Sequence, residues 1–404
     1  LGPHSGLKMQ EARFNAALRA LSDPSTTTVV LVTRPEPHPV KEAARTADEL
    51  RQLGLQNQRL AVNGVFRASD PEDPTARAIE ALGRSVLDHL PGSLSALPRD
   101  EVPLRAFDTV GLPALRALLG GDLPAAPDSG KTPSTPARLA AEPLSRLVDE
   151  LAATDHGLIM VMGKGGVGKT TIAAAVAVGL VQRGHSVHLT TTDPAAHVAG
   201  TLNGTLDGLR IGRIDPKAET QAYIDKTMAT RGKSLDAQGR ALLLEDLQSP
   251  CTEEVAVFHA FSRVVKEART GFVVLDTAPT GHSLLLMDAT GAYHRQVTQP
   301  FEGQDAGAGG LHIVTPLMRL QDPNMTRVIL VTLPEVTPVS QAAALQDDLR
   351  RAKIEPWAWV INKSIAATGT TDPLLRARLA GELRQAERIS SGLARRTFVL
   401  PWLP

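Results

Sequence analysis

The nonapeptide Gly163-Lys164-Gly165-Gly166-Val167-Gly168-Lys169-Thr170-Thr171 fits G-x-x-x-x-G-K-[ST], the loop that closes backbone N–H groups around phosphate oxygens. Its flanks supply the context the motif needs. The apolar run 156–162 predicts a short buried strand, and 171–181, rich in alanine and valine, predicts a buried helix. Strand, glycine loop and helix in that order put positive helix-end potential at the loop. Lys169 is then placed to meet the β- and γ-phosphates, and the Thr170 hydroxyl to ligate Mg²⁺. Gly163, Gly165, Gly166, Val167, Gly168 and Thr171 complete the cradle.

Two further strands end in carboxylates. The run 186–191 leads into Thr192-Asp193-Pro194-Ala195-Ala196-His197, and Phe272-Val273-Val274-Leu275 leads into Asp276-Thr277-Ala278-Pro279-Thr280-Gly281-His282. Ligands of open parallel sheets bind at the C-terminal ends of strands. Asp193 is therefore placed to orient or deprotonate the attacking water, or to hold a water of Mg²⁺, with an Asp-Pro helix-capping turn as the bland alternative. Asp276 fits a Walker B carboxylate acting on Mg²⁺ through water, followed by a segment that can sense the γ-phosphate. Asn362 ends the run 357–361, where it can pair with the adenine edge or simply cap the strand. Cys251 lies in Ser249-Pro250-Cys251-Thr252-Glu253-Glu254, just ahead of a helix expected over 255–269. A thiol at a helix N-terminus gains thiolate character and suits soft metals, and His282 can approach the same region. A lone cysteine is also a common small buried hydrophobe.

Composition narrows the class. The 404 residues allow two or three domains, and 42% hydrophobic content supports real cores. Forty-three basic and 43 acidic residues give a net charge of +0, so nothing points to nucleic-acid binding. No apolar run reaches the length of a membrane span and no signal peptide is evident. One cysteine rules out an internal disulfide and fits a reducing compartment.

The chain also repeats itself. Shifted by 299 positions, residues 21–63 fall on 320–362 without a gap, with 18 identities in 43 positions. Leu31-Val32-Thr33-Arg34-Pro35-Glu36 meets Leu330-Val331-Thr332-Leu333-Pro334-Glu335, and Asn63 meets Asn362. A period this long is a domain duplication rather than a solenoid. It predicts residues 1–119 as the tail of a first half, whose own P-loop would lie upstream of Leu1. Residues 120–145, rich in Pro, Ala and Ser, read as a linker. Residues 146–404 read as a second half, clipped at its C-terminus. The expected fold is α/β: a mostly parallel sheet flanked by helices, in duplicated halves.

Lys164 adds a second lysine to the loop. The Lys-Gly-Gly-Val-Gly-Lys-Thr-Thr form resembles the deviant Walker A of dimerising P-loop ATPases, in which the early lysine reaches into a facing nucleotide site. With 163–171, 192–197, 249–254, 276–282, Asp288-Ala289-Thr290-Gly291-Ala292-Tyr293-His294, 330–335 and the two-half layout, the chain resembles the arsenical pump-driving ATPases. These are soluble ATPase subunits of arsenite/antimonite efflux pumps, and the likeness runs over nearly all of the chain. The resemblance implies two facing P-loop halves, with two nucleotide sites and a metalloid site at their interface. It assigns Lys164, Lys169, Thr170, Thr171, Asp193 and Asp276 to ATP and Mg²⁺, and Ser249, Cys251 and His282 to As(III) or Sb(III). It implies as partners an arsenite permease in the inner membrane, a metalloid chaperone, and the P-loop domain of the first half or a second copy. The location it implies is cytoplasmic. A related ATPase that targets tail-anchored membrane proteins is the nearest rival, but it needs an apolar helical insert where Gly303–Gly310 is glycine-rich, and commonly a Cys-x-x-Cys that one cysteine cannot supply. A non-hydrolysing nucleotide-binding module is the reading of a different class.

Overall fold

The structure, a computed structural model, describes residues 3–118, 141–192, 204–277 and 316–403. The chain divides into two compact units. Unit 1 gathers residues 1–136 with 368–381 and 403–404, and unit 2 holds residues 137–367 and 382–402.

Unit 2 is built on eight strands, all paired in parallel. They are β4 (Glu142–Pro143), β5 (Gly157–Met162), β6 (Val187–Thr191), β7 (Leu209–Arg213), β8 (Phe272–Asp276), β9 (Thr326–Thr332), β10 (Ala358–Ser364) and β11 (Thr397–Pro401). Their order across the sheet is β4-β11-β10-β9-β5-β8-β6-β7. Strand β4 falls inside the segment read above as linker: it is a two-residue edge strand on β11. The central strands are continuous apolar runs because both faces are covered. Pleating then sorts them. Leu158, Met160 and Met162 of β5 feed one core with Val273, Leu275, Val328, Leu330, Trp359 and Ile361. Ile159 and Val161 feed the other, with Val274, Ile329, Val331 and Val360. This second core is closed by the helix Lys169–Gln182, whose Ile172, Ala173, Val176, Ala177 and Leu180 are buried. Alanine suits that helix because small side chains let it lie close on the sheet.

Unit 1 carries a three-stranded parallel sheet, β1 (Val29–Thr33), β2 (Gln58–Val65) and β3 (Arg99–Pro103), in that order. Its core joins Leu31, Leu60 and Val62 to Val40, Ala43, Ala44 and Ala47 of the helix Pro37–Gln52. The 299-residue offset recurs in the element bounds. Helix Pro37–Gln52 has its counterpart in Val336–Arg351, and Pro74–Asp88 in Pro373–Arg388. Even the irregular backbone recurs: Gly64 has φ +78, and Lys363, at the matching position, has φ +56.

Candidate nucleotide site

Three parallel strands bring the site together at their C-terminal ends. Val161 of β5 and Thr191 of β6 both pair with Asp276, the last residue of β8. Successive strands β5 and β6 lie on either side of β8, while β9 flanks β5 on its other edge, so the chain switches direction across the sheet here. That is where open α/β sheets bind ligands.

The P-loop backbone explains its glycines. Gly163 has φ +150, and a Cβ there would stand 2.4 Å from the Val331 carbonyl oxygen. Gly168 sits at the N-cap of helix Lys169–Gln182 with φ +91, and a Cβ there would meet the Asn362 amide nitrogen at 2.2 Å. Gly165 and Gly166 are exposed, and a Cβ at either would face open space, so the loop backbone there is open to a ligand. Lys169 is only 7% exposed, and its ammonium donates to the Lys164 carbonyl at 3.3 Å across the loop. Lys164 itself is exposed.

The Thr170 hydroxyl donates to Asp276 Oδ2 at 2.7 Å, and Asp276 is 1% exposed. Thr277 donates its amide and hydroxyl to the Val161 carbonyl at 3.3 and 3.1 Å, which pins the chain after β8 onto β5. A hydroxyl and a carboxylate side by side at a phosphate loop are a hard oxygen donor set, which fits Mg²⁺ rather than a soft metal. Thr170 and Asp276 would hold that ion, and Lys169 with the loop amides would hold the phosphates.

Asn362 is buried beneath the loop. Its Nδ2 donates to the Val167 carbonyl at 2.9 Å, and its Oδ1 accepts the Lys363 N–H at 2.9 Å. Strand β10 continues past Asn362 to Ser364, so Asn362 lies within it, at the irregularity between Ile361 and Ser364, rather than ending it as expected, and its bond to the P-loop had no signal in the sequence. Glu382 was also missed. It accepts the N–H groups of Ile365 and Ala366 at 3.0 and 3.2 Å and the Ser364 hydroxyl, which fixes the turn leaving β10. No local motif announces that residue, since its partners lie 16 to 18 positions away.

The metalloid candidates are only partly placed. The helix expected to start at Val255 runs Pro250–Glu267, so Cys251 lies in its first turn rather than ahead of it. Proline suits a first helical position because its missing N–H would have no partner there, and Ser249 takes the N-cap. The Ser249 and Thr252 hydroxyls are 3.4 Å apart. Asp193, His282, the segment 288–294 and most of the expected linker lie outside the described residues. Among the described residues, no group of three or more His, Cys, Asp or Glu is gathered as a metal site. Among them also, no helix is long and apolar enough to cross a membrane.

The profile of the family described as Anion-transporting ATPase matches residues 4–121 and 156–306. The chain belongs to this family. It is thus an ATPase with a P-loop fold, and the phosphate loop, Thr170 and Asp276 fit that chemistry. Among curated relatives, an arsenical pump-driving ATPase of Acidiphilium multivorum is 50% identical over 405 residues, covering 100% of this chain and 68% of the relative. One from Escherichia coli is 50% identical over 408 residues, with the same coverage. The ATPase GET3 of Mycosarcoma maydis is 27% identical over 246 residues, covering 51% of this chain and 71% of the relative.

Proposed function

We propose that this chain hydrolyses Mg-ATP to drive arsenite or antimonite out through a membrane permease. The observation that carries the reading is the Thr170–Asp276 pair, 2.7 Å apart beside a two-lysine P-loop, in a chain half identical to arsenical pump-driving ATPases. Phosphoryl transfer needs positioning and charge compensation more than covalent chemistry. Lys169, the loop amides from Gly163 to Gly168 and the helix N-terminus would hold the triphosphate, with Thr171 at the first helical turn. Bound Mg²⁺ would neutralise charge developing on the β- and γ-oxygens. Thr170 would touch that ion directly and Asp276 through water. Asp193 would orient the attacking water. Lys164, exposed on the loop, would address a nucleotide held by a facing P-loop, either in a first half of the same chain or in a second copy.

Residues 1–119 would then be the remainder of that first half, 120–145 the linker and 146–404 the second half. Asn362 braces the loop through Val167 and would lie near the base. Trivalent arsenic and antimony favour several thiolates, and Cys251 supplies one. Ser249 and His282 would complete this side of the cargo site, the remaining thiolates coming from the facing half. A metalloid chaperone would deliver the cargo, and the ATPase would work at the cytoplasmic face of the inner membrane.

Single-turnover ATP hydrolysis with and without antimonite tests the reading. Expected are loss of turnover in Lys169→Ala and, where a facing half supplies the remaining thiolates, turnover that antimonite accelerates, with that acceleration lost and basal turnover kept in Cys251→Ser. Hydrolysis indifferent to antimonite in that two-half assembly would remove the metalloid from the proposal. Tight Mg-ATP binding without turnover would instead make the chain a nucleotide-binding module.

A further inference from the structure

Asp73 and Asp372 stand 299 positions apart, the offset of the repeat, and each precedes a proline that opens a helix. Each carboxylate works twice. Its Oδ1 caps the helix that follows: Asp73 accepts from the Thr75 and Ala76 amides at 2.8 and 3.1 Å, and Asp372 from the Leu374 and Leu375 amides at 3.0 and 3.1 Å. Its Oδ2 reaches the loop of the other copy. Asp73 Oδ2 accepts the Thr371 and Asp372 amides at 2.6 and 2.9 Å and the Thr370 hydroxyl. Asp372 Oδ2 accepts the Ser69 and Asp70 amides at 2.6 and 3.0 Å. The Thr371 hydroxyl adds a bond to Asp70 Oδ2 at 2.7 Å.

Capping needs one oxygen. Nothing about a cap requires the second oxygen to be buried and met by donors from a loop about 300 positions away. Yet Asp73 is 2% exposed and Asp372 0%. A buried carboxylate is tolerated only where donors replace its water, and each copy supplies them to the other. Such reciprocity belongs to isologous contacts, where one patch meets its own equivalent. It is not perfect in register: Asp372 takes amides three positions earlier in the repeat frame than Asp73 does.

The clasp also explains a crossing of the chain. Residues 368–381 belong to unit 1, although Ala367 and Glu382 on either side of them belong to unit 2. Glu382, just after the crossing, holds the 364–366 turn just before it, and Asn362 bonds the Val167 carbonyl of the P-loop. We propose that Asp73 and Asp372 form a reciprocal clasp, an interaction surface whose partner is the same loop of the other repeat. It serves as the fixed joint that anchors the second repeat's chain in unit 1 while the P-loop responds to nucleotide. Only the last clause rests on the ATPase reading.

Hydrogen exchange on the whole chain, followed by mass spectrometry, tests this with cap-preserving variants. Serine still caps a helix but is too short to reach across. Asp73→Ser should leave helix Pro74–Asp88 protected and cut protection about tenfold or more at residues 370–372, the other repeat's loop. Asp372→Ser should do the converse, keeping Pro373–Arg388 protected and exposing Ser69 and Asp70. Loss confined to each substituted residue's own loop would overturn the clasp. Should either variant fail to fold, the parent decides: under mild denaturant, peptides 66–72 and 368–373 should lose protection in one shared step, and separate steps would overturn it. Adding Mg-ATP should slow exchange in 163–171 and leave both clasp peptides unchanged. A change in the clasp peptides would refute the fixed joint, whereas an unmoved P-loop would refute the ATPase reading and leave the variants to judge the clasp.

Discussion

The sheet β1–β3 and the strands β9–β11 are two copies of one pattern in different surroundings. Leu31, Leu60, Val62 and Val40 fill the core of the first copy, and their counterparts Leu330, Trp359, Ile361 and Val339 fill a core of the second. On the opposite face the copies part. Val30 and Val32 are 55% and 66% exposed, while Ile329 and Val331, at the matching positions, are 0% exposed beneath the P-loop helix. The pattern of apolar residues is nearly the same, so sequence does not distinguish them. What differs is β5 and its helix, which lie beside β9 and cover its second face. Apolar residues thus mark a face that some element can cover, and only the tertiary structure says whether one does.

The largest test of this contrast is catalytic. If β5 and its loop are what the second copy has and the described first copy lacks, all turnover should pass through them. Lys169→Ala should lower single-turnover ATP hydrolysis by about a hundred- to a thousandfold. Residual turnover near the parent rate would mean that chemistry resides elsewhere. A stability test comes next. Val331→Asp buries a carboxylate without donors and should cost about 4 kcal/mol or more, read as loss of cooperative denaturant unfolding. Val32→Asp, at the matching position, should change stability by less than about 0.5 kcal/mol. Equal effects would show that the two faces are covered alike.

Acid sharpens the comparison at Asp73. Burial raises its pKa, but the Thr370 hydroxyl and the amides of Ala76, Asp372 and Thr371 outweigh that and hold the carboxyl well below the usual range. A depressed folded-state pKa contributes stability that is fully present above the unfolded value of about 3.9, declines as pH falls below it, and is lost as pH falls through the folded value. Asp73→Asn should therefore be less stable than the parent at pH 7, with the gap narrowing between about pH 5 and 3 in urea melts. A gap independent of pH would deny the charged carboxylate its role. The smallest effect concerns the shared left-handed backbone. Lys363→Gly should stabilise by about 0.5 kcal/mol by relieving a positive φ. Gly64→Ala should cost about 1 kcal/mol, although a Cβ there meets nothing nearer than 3.9 Å. Thermal shifts of opposite sign would support one backbone read by two residue types, and shifts of the same sign would refute it.

Much of the site was legible from local pattern. The strand 157–162, the glycine loop, the buried helix and the carboxylate ending β8 all follow from short-range rules, because phosphate binding needs a contiguous loop on a helix N-terminus. The offset of 299 likewise announced two copies of one strand and helix pattern, and the element bounds keep that offset. The Cys251 helix starts at Pro250, five residues before the expected start, because a proline is favoured in a first turn, where its missing N–H has no partner to lose.

Local sequence thus determined the phosphate loop, the strand-end carboxylate and the duplication, since each depends on neighbours in the chain or on direct comparison of two segments. Tertiary structure alone decided that Asn362 lies under the loop, that Glu382 holds the turn after β10, and that Asp73 and Asp372 exchange hydrogen bonds. Those contacts join residues 16 to about 300 positions apart. A carboxylate's partners at that range depend on which backbone amides folding leaves buried nearby, and no propensity or spacing rule encodes that.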